Sequence, residues 1–368
     1  MRIVYVLNSL GIGGAERQVL ALAEHLARRG HAVHLLVLRP RLADEWPTAA
    51  RVVHLEIRKT PGSVLSGLVQ AHCFLRDFRP GLVHSHGFHA NIMARLLKLF
   101  APLPPVLSTI HNIYEGNRLR VLAYRLTDGL SLRTAAVSAA VARRFVLLKA
   151  VPHDKCVVVP NAVDLGEFAP CEARRAQTRT AMNAERGFIW LAVGRVAPSK
   201  DYPNLLAAFA KVRAVRQDVL LWIAGQATAR AASALQALAA RLNIANSVRW
   251  LGLRRDVPAL LDAADAFVQA SAWEGMPLAV GEAMAMEKPV VATEAGGVRE
   301  LVGEAGVVVP CRNPYALAQA MIGLMEQPPS VQQLLGRTAR QRIASQFSME
   351  VRVGEWEELY SSLVGDKC

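Results

Sequence analysis

Short, nearly continuous apolar runs alternate with stretches of helical spacing, and the pattern is played through twice along the chain. In the first half the runs are "RIVYVL", "AVHLLVL", "GLVHSHG", "PVLSTIH", "AAVSAA" and "KCVVVP". Runs with little polar alternation suit strands covered on both faces. Between the first two, "AERQVLALAEHLARRG" sets Val19, Leu22, Ala23 and Leu26 at helical spacing and stops at Gly30, a usual helix terminator. Strand, helix, strand in this rhythm means a parallel sheet with helices on its faces. The second half repeats it with "FIWLAVG", a helix from about Tyr202 to Arg216, "DVLLWIAG", a helix from about Ala229 to Leu242, "VRWLG", "DAFVQAS", "KPVVATE" and "AGVVVP". Between the halves, near 165 to 185, the sequence is polar and irregular by comparison. The pattern therefore predicts an α/β chain of two Rossmann-like domains, 1–165 and 166–345, whose parallel sheets face an interdomain cleft. A last segment, 346–368, contains a helix from about Ser348 to Leu363. Ligands of open parallel sheets sit at the carboxyl ends of the strands.

A chain of 368 residues with 52% hydrophobic content has material for two cores of ordinary size. Cys73, Cys156, Cys171, Cys311 and Cys368 form no C-x-x-C pair, so neither a zinc site nor a disulfide framework is expected and a reducing cytoplasm fits. The N-terminus reads directly into a strand without a signal peptide's apolar stretch, and no run approaches the ~18 apolar residues of a spanning helix. The net charge of +13 is unevenly placed: residues 1–165 carry 21 Lys and Arg against 10 Asp and Glu, while the remainder is nearly balanced. A basic half implies a polyanionic partner, which could be nucleic acid, anionic lipid or a phosphorylated substrate, or else a merely solvated face.

Three glycine turns follow strands: "NSLGIGGAER", "AVGRVAPSKD" and "IAGQATA". The first is not a dinucleotide fingerprint. Gly11 and Gly13 are in step, but the third glycine position is Glu16, and the next strand ends at Arg39 instead of an acid. Backbone N–H groups at a helix start remain a site for phosphate or another anion. The second turn adds Arg195 and Lys200 near a strand's carboxyl end. That arrangement suits a diphosphate, although such a pair also occurs as plain surface charge.

Residues 270–301, "ASAWEGMPLAVGEAMAMEKPVVATEAGGVREL", place Glu274 in a loop, then Pro277 opening a helix that carries Glu282 one to two turns in. Backbone donors between Glu274 and Leu278 can take a phosphate while two carboxylates grip hydroxyls. A surface carboxylate and an incidental helix glutamate would read the same way locally.

The segment "EGMPLAVGEAMAMEKPVVATEAGGVRE" closely resembles the E-x7-E region of retaining glycosyltransferases of family 4. The resemblance extends through "GGAER", "HSH" at His84 to His86, "NAVD" at Asn161 to Asp164, "GRVAPSKD" and "WEELY". It implies the GT-B fold, a C-terminal domain that binds the nucleotide sugar, an N-terminal domain that presents the acceptor and a final helix, in 346–368, that crosses back to the N-terminal domain. On this resemblance Arg195 and Lys200 hold the donor diphosphate, Glu282 the ribose hydroxyls and Glu274 the sugar hydroxyls. The segment Gly275, Met276, Pro277 and Leu278 would meet the phosphates and sugar from one domain, and Gly13 and Gly14 from the other. His111, in "STIHNIYEG", matches the family's histidine near the donor sugar. The implied catalytic set is thus His111, Glu274, Lys200 and Arg195.

The implied reaction is front-side transfer with retention, through an oxocarbenium-like transition state, the departing phosphate oxygen taking the acceptor proton. The family generally works without a divalent ion, and no D-x-D motif is present. His84, His86 and His89 are alternate strand residues followed by a helix residue, without a nearby Cys or carboxylate, so no metal or other cofactor is expected. The donor expected is a uridine diphosphate sugar, with a guanosine diphosphate sugar next, giving a hexosyl or N-acetylhexosaminyl group. The acceptor expected is a lipid-linked or surface glycan of bacterial polysaccharide or lipopolysaccharide synthesis. A sugar-nucleotide epimerase or a phosphorylase of similar architecture is the alternative enzyme. A nucleic-acid binder is the alternative of another kind, disfavoured because aromatics, at 6%, are too few to interleave the cations. Residues 117–149 carry seven Lys and Arg against Asp128 alone, and Leu119, Leu122, Ala123 and Leu126 share a helical face. This segment predicts contact with an anionic membrane surface, on the inner face of the cytoplasmic membrane; a core-packed helix with a basic outer face is the other reading.

Overall fold

The computed structural model of the chain describes residues 1–43, 45–58, 60–100 and 103–365. Residues 366–368 of the expected last segment, Cys368 among them, lie outside the described residues. Two units form, one of residues 1–161 joined by the helix Met349–Gly365, the other of Ala162–Ser348.

In unit 1, strands β1 (Arg2–Leu7), β2 (Ala32–Val37), β3 (Arg51–His54), β4 (Leu82–His86), β5 (Val106–Ile110), β6 (Arg133–Ala136) and β7 (Cys156–Val158) make one parallel sheet, ordered β3-β2-β1-β4-β5-β6-β7. Val4 and Val6 point into a core with Leu36, Val83, Ala90 and Val106, all buried. The strand order reverses between β1 and β4, which opens the sheet at their carboxyl ends. Here β1 leads through the glycine turn into the helix Gly14–Arg28, whose Val19, Leu22, Ala23 and Leu26 are buried.

Unit 2 repeats the plan with β8 (Phe188–Val193), β9 (Val219–Ala224), β10 (Val248–Gly252), β11 (Ala266–Gln269), β12 (Val290–Thr293) and β13 (Val307–Val309), ordered β10-β9-β8-β11-β12-β13 and parallel throughout. Its reversal lies between β8 and β11. Trp190, Phe209, Leu221 and Met321 fill the core beneath.

Three local readings are corrected. The strand "RVVH" was not anticipated, because its two valines stand between Arg51 and His54 and make no apolar run. "AAVSAA" is only partly strand: β6 ends at Ala136, and Ser138 accepts from the N–H of Val141 at 3.2 Å, capping the helix Ala139–Leu147. The polar stretch near 165 to 185 contains the helix Glu172–Ala181, none of whose residues is buried. It is held by charge: Arg174 pairs with Asp262, and Arg175 and Arg179 each reach Asp265 at 2.6 Å.

The final helix, Met349–Gly365, buries Val353, Trp356, Tyr360 and Leu363 in unit 1. The Tyr360 hydroxyl meets that of Tyr5 at 3.0 Å and the His84 Nδ1 at 2.8 Å. Arg29 and His31 meet Glu357 at 2.6 and 2.9 Å.

Candidate active site

In unit 2 the candidate residues gather at the carboxyl ends of β8 and β11. Strand β8 runs into Gly194 and Arg195, and a single turn, Pro198–Lys200, then brings Lys200 back over the sheet. Strand β11 runs into Ser271 and Glu274. Lys200 Nζ donates to Glu274 Oε1 at 2.6 Å, and the Ser271 hydroxyl donates to the same oxygen at 2.8 Å. Glu274 is buried, and Lys200 is only partly exposed. Arg195 is exposed on the same turn. Tyr202 opens the next helix and donates from its hydroxyl to the Gly194 carbonyl at 2.6 Å, tying the turn down.

Glycines permit this close packing. A Cβ on Gly225 would stand 1.9 Å from the Gly194 carbonyl oxygen, so the turns after β8 and β9 fit only with hydrogen there. A Cβ on Gly296, at φ +60°, would stand 2.1 Å from the Glu274 carbonyl oxygen, while the Gly297 N–H donates to Gly275 O at 2.8 Å. The segment Gly275, Met276, Pro277 and Leu278 is therefore clamped by the turn after β12. Pro277 precedes the helix Leu278–Ala285, on which Glu282 is buried. Lys200, Glu274 and Ser271 form one hydrogen-bonded cluster beside tightly turned backbone, with Arg195 on the turn after β8 and Glu282 on the helix that follows Pro277, groups of the kind that bind a diphosphate and hydroxyls.

In unit 1 a cavity of about 230 Å³ opens at the ends of β1 and β4, lined among others by Asn8, Glu16, His86, His111, Glu115 and Arg120. Gly13 caps, and Gly14 begins, the helix beside it. Strand register pairs His86 with Thr109, so His111, just past β5, falls beside His86, with His86 Nδ1 3.0 Å from His111 Nε2. Burial pushes His111 down to about 4. Glu115 accepts from the Tyr124 hydroxyl at 2.6 Å and from the His111 N–H at 3.3 Å. Burial pushes its carboxyl up to about 7 against those hydrogen bonds and the nearby Arg120 and Arg95. Sequence reasoning missed Glu115, although it sits four residues after His111 in the quoted motif, and it missed Ser271 and Tyr202. The rings of His84 and His86 lie 4.0 Å apart, but their nitrogens point to other partners: His84 binds Tyr360 and Thr109, His86 meets His111, and His89 lies in the helix Phe88–Leu97.

Two doubly wound parallel sheets, each with polar groups gathered at its reversal point, define a two-domain α/β protein with ligand sites at the carboxyl ends of its strands. Comparisons with known proteins make this specific. Residues 12–167 match Glycosyltransferase Family 4, and residues 187–327 match Glycosyl transferases group 1. The chain belongs to this family and is a glycosyltransferase. It is 25% identical, over 82% of its length and 81% of the relative's, to the Escherichia coli UDP-Gal:alpha-D-GlcNAc-diphosphoundecaprenol alpha-1,3-galactosyltransferase. It is 27% identical, over 95% of its length and 91% of the relative's, to the glycogen synthase of Mycobacterium tuberculosis. Among solved structures, Anabaena HepE in complex with UDP and glucose superposes with a TM-score of 0.86 at 20% identity, covering 98% of this chain and 100% of that one. A glycosyltransferase from Rickettsia africae gives 0.84 at 20% identity over 99% and 98%.

Proposed function

We propose that the chain transfers a hexosyl or N-acetylhexosaminyl group, with retention, from a uridine diphosphate sugar to a lipid-linked or surface-glycan acceptor of bacterial polysaccharide or lipopolysaccharide synthesis. The observation that carries this is the Lys200–Glu274 pair, backed by Ser271, at the carboxyl ends of β8 and β11. A diphosphate arriving there competes with Glu274 for Lys200. Neutralising the phosphate frees the Glu274 oxygen for a sugar hydroxyl, so binding of one part of the donor prepares the site for the other. Arg195 supplies a second cation, Glu282 takes the ribose hydroxyls, and the backbone from Gly275 to Leu278 the phosphate oxygens. In unit 1, His111 and the helix start at Gly13 and Gly14 serve the sugar.

In the reaction the anomeric carbon–phosphate oxygen bond breaks and the bond to the acceptor oxygen forms on the same face. The acceptor's proton passes to the departing phosphate oxygen. Lys200 and Arg195 carry the charge of the leaving group, so this reading needs no divalent ion. The Escherichia coli relative, named for UDP-Gal and a diphosphoundecaprenol-linked acceptor, supports a uridine donor and a lipid carrier.

The enzyme works at the cytoplasmic face of the membrane in this reading. Leu119, Leu122 and Leu126 are 71%, 44% and 75% exposed along the helix Arg118–Thr127, and Leu147 nearby in sequence is 81% exposed. Arg118, Arg143 and Arg144 are exposed with them. Not every cation of the segment is available, since Arg120, Arg125 and Arg133 donate to backbone carbonyls. No described helix is long and apolar enough to cross a membrane.

Calorimetric titration with uridine, guanosine and adenosine diphosphates, on the native chain and on Glu282→Ala, tests the donor site. Selective binding of uridine diphosphate, weakened in the variant, is the expected result. Binding of none, or binding indifferent to Glu282, would remove the reading.

A further inference from the structure

The cavity of unit 1 holds two imidazoles joined edge to edge, His86 Nδ1 lying 3.0 Å from His111 Nε2. Their outer nitrogens, His86 Nε2 and His111 Nδ1, are buried and have no hydrogen-bond partner among the described residues. His84 cannot substitute as a partner for His86. Both of its nitrogens are engaged, with the Tyr360 hydroxyl at 2.8 Å and the Thr109 hydroxyl at 2.7 Å.

A contact of this length needs one N–H and one bare nitrogen. Both rings are neutral near pH 7: burial holds His111 low, and burial with the neighbouring His84 and His111 holds His86 well below the usual histidine range. Two neutral rings carry one proton each, and a single proton lies between them. That ties the outer nitrogens together. When His86 donates, His111 bears its own proton on Nδ1 and His86 Nε2 is bare. When His111 donates, its Nδ1 is bare and the proton of His86 is on Nε2.

We propose that His86 is a positioning residue for His111: the shared proton decides which nitrogen of His111 is protonated, and hence whether His111 offers a donor or an acceptor to a sugar hydroxyl. The proposal rests on the reading of His111 as a group that serves the transferred sugar. A hydroxyl can satisfy either state, since it both donates and accepts. The pair therefore adapts to the hydroxyl it meets without gaining charge. His86 is held for this task by Tyr5 and His84, whose rings lie 5.3 and 4.0 Å from its own, and the cavity wall adds Glu16, Glu115 and Arg120.

The test uses the full chain with ¹⁵N-labelled histidine, comparing the native protein with His86→Phe, His86→Asn and His111→Ala. Nitrogen resonances report tautomer directly, and turnover is measured beside them. In His86→Phe the His111 nitrogens should shift as the ring loses its partner, with turnover falling about tenfold, the worth of one buried hydrogen bond. His86→Asn, with an amide near the former Nδ1, should recover most of that loss, which separates lost pairing from lost packing. In the His111→Ala background His86→Phe should cost nothing more. Unchanged His111 resonances in His86→Phe, or a further tenfold loss on top of His111→Ala, would overturn the proposal. Undiminished turnover in His111→Ala would instead overturn the reading of His111 at the sugar, and with it the role, while the resonances would still report the pairing, so the two failures are told apart.

Discussion

Glu115 and His111 lie four residues apart and respond to pH in opposite senses. The folded Glu115 carboxyl is raised from 4.5 to about 7, so across that window the folded chain holds a proton that the unfolded chain releases. Its contribution to stability falls as pH rises from about 4.5 to 7. His111 is lowered from 6.5 to about 4, so the unfolded chain holds the extra proton and stability rises with pH over that range. The two slopes largely offset each other. Glu115→Gln removes only the falling one. The native chain should therefore lose stability relative to this variant between pH 5 and pH 7, by on the order of 1–3 kcal/mol. Thermal melts at both pH values measure it, and a difference that does not change with pH would exclude a raised Glu115. At this scale the sequence was legible where a motif is contiguous, as in "HNIYEG", whose histidine follows a strand. The contact of His86 with His111 was not, because 25 residues separate them and only the register of β4 with β5 brings them together.

Among the elements, the two helices Arg118–Thr127 and Glu172–Ala181 show where pattern reading works and where it stops. The first announced itself by leucine spacing, and its leucines lie outward while Tyr124 alone is buried. An exposed apolar stripe flanked by cations is expected to enter an anionic bilayer surface. The native chain should float with vesicles containing anionic lipid and not with neutral ones. Replacing Leu122 and Leu126 together by glutamate should cut that partitioning by about tenfold or more. Flotation that survives the double substitution would assign binding to another surface. The second helix gave no such signal, since none of its residues is buried and its arginines depend on Asp262 and Asp265, far along the chain. Strands of the two sheets were legible because burial on both faces writes itself as an apolar run. The exception, β3, holds only Val52 and Val53 between Arg51 and His54, too short an apolar run to stand out.

For the molecule as a whole, the notable property is that unit 1 is built from both ends of the chain while unit 2 is contiguous. The closing helix brings Tyr360 between Tyr5 and His84, and Trp356 within 4.8 Å of the His84 ring. Without it the tyrosine hydroxyl and imidazole at the back of the histidine cluster lose their partner, and an apolar surface opens. A chain stopped after Ser348 should melt in two steps in a calorimeter, the unit 1 transition shifted strongly downward and that of unit 2 nearly unmoved. An unshifted unit 1 transition would show that the helix contributes nothing to it. This arrangement also sets an order of events on the ribosome. Every residue of unit 2 is made before Met349, whereas β1 waits for its last neighbour until residues 349–365 have followed the whole of unit 2.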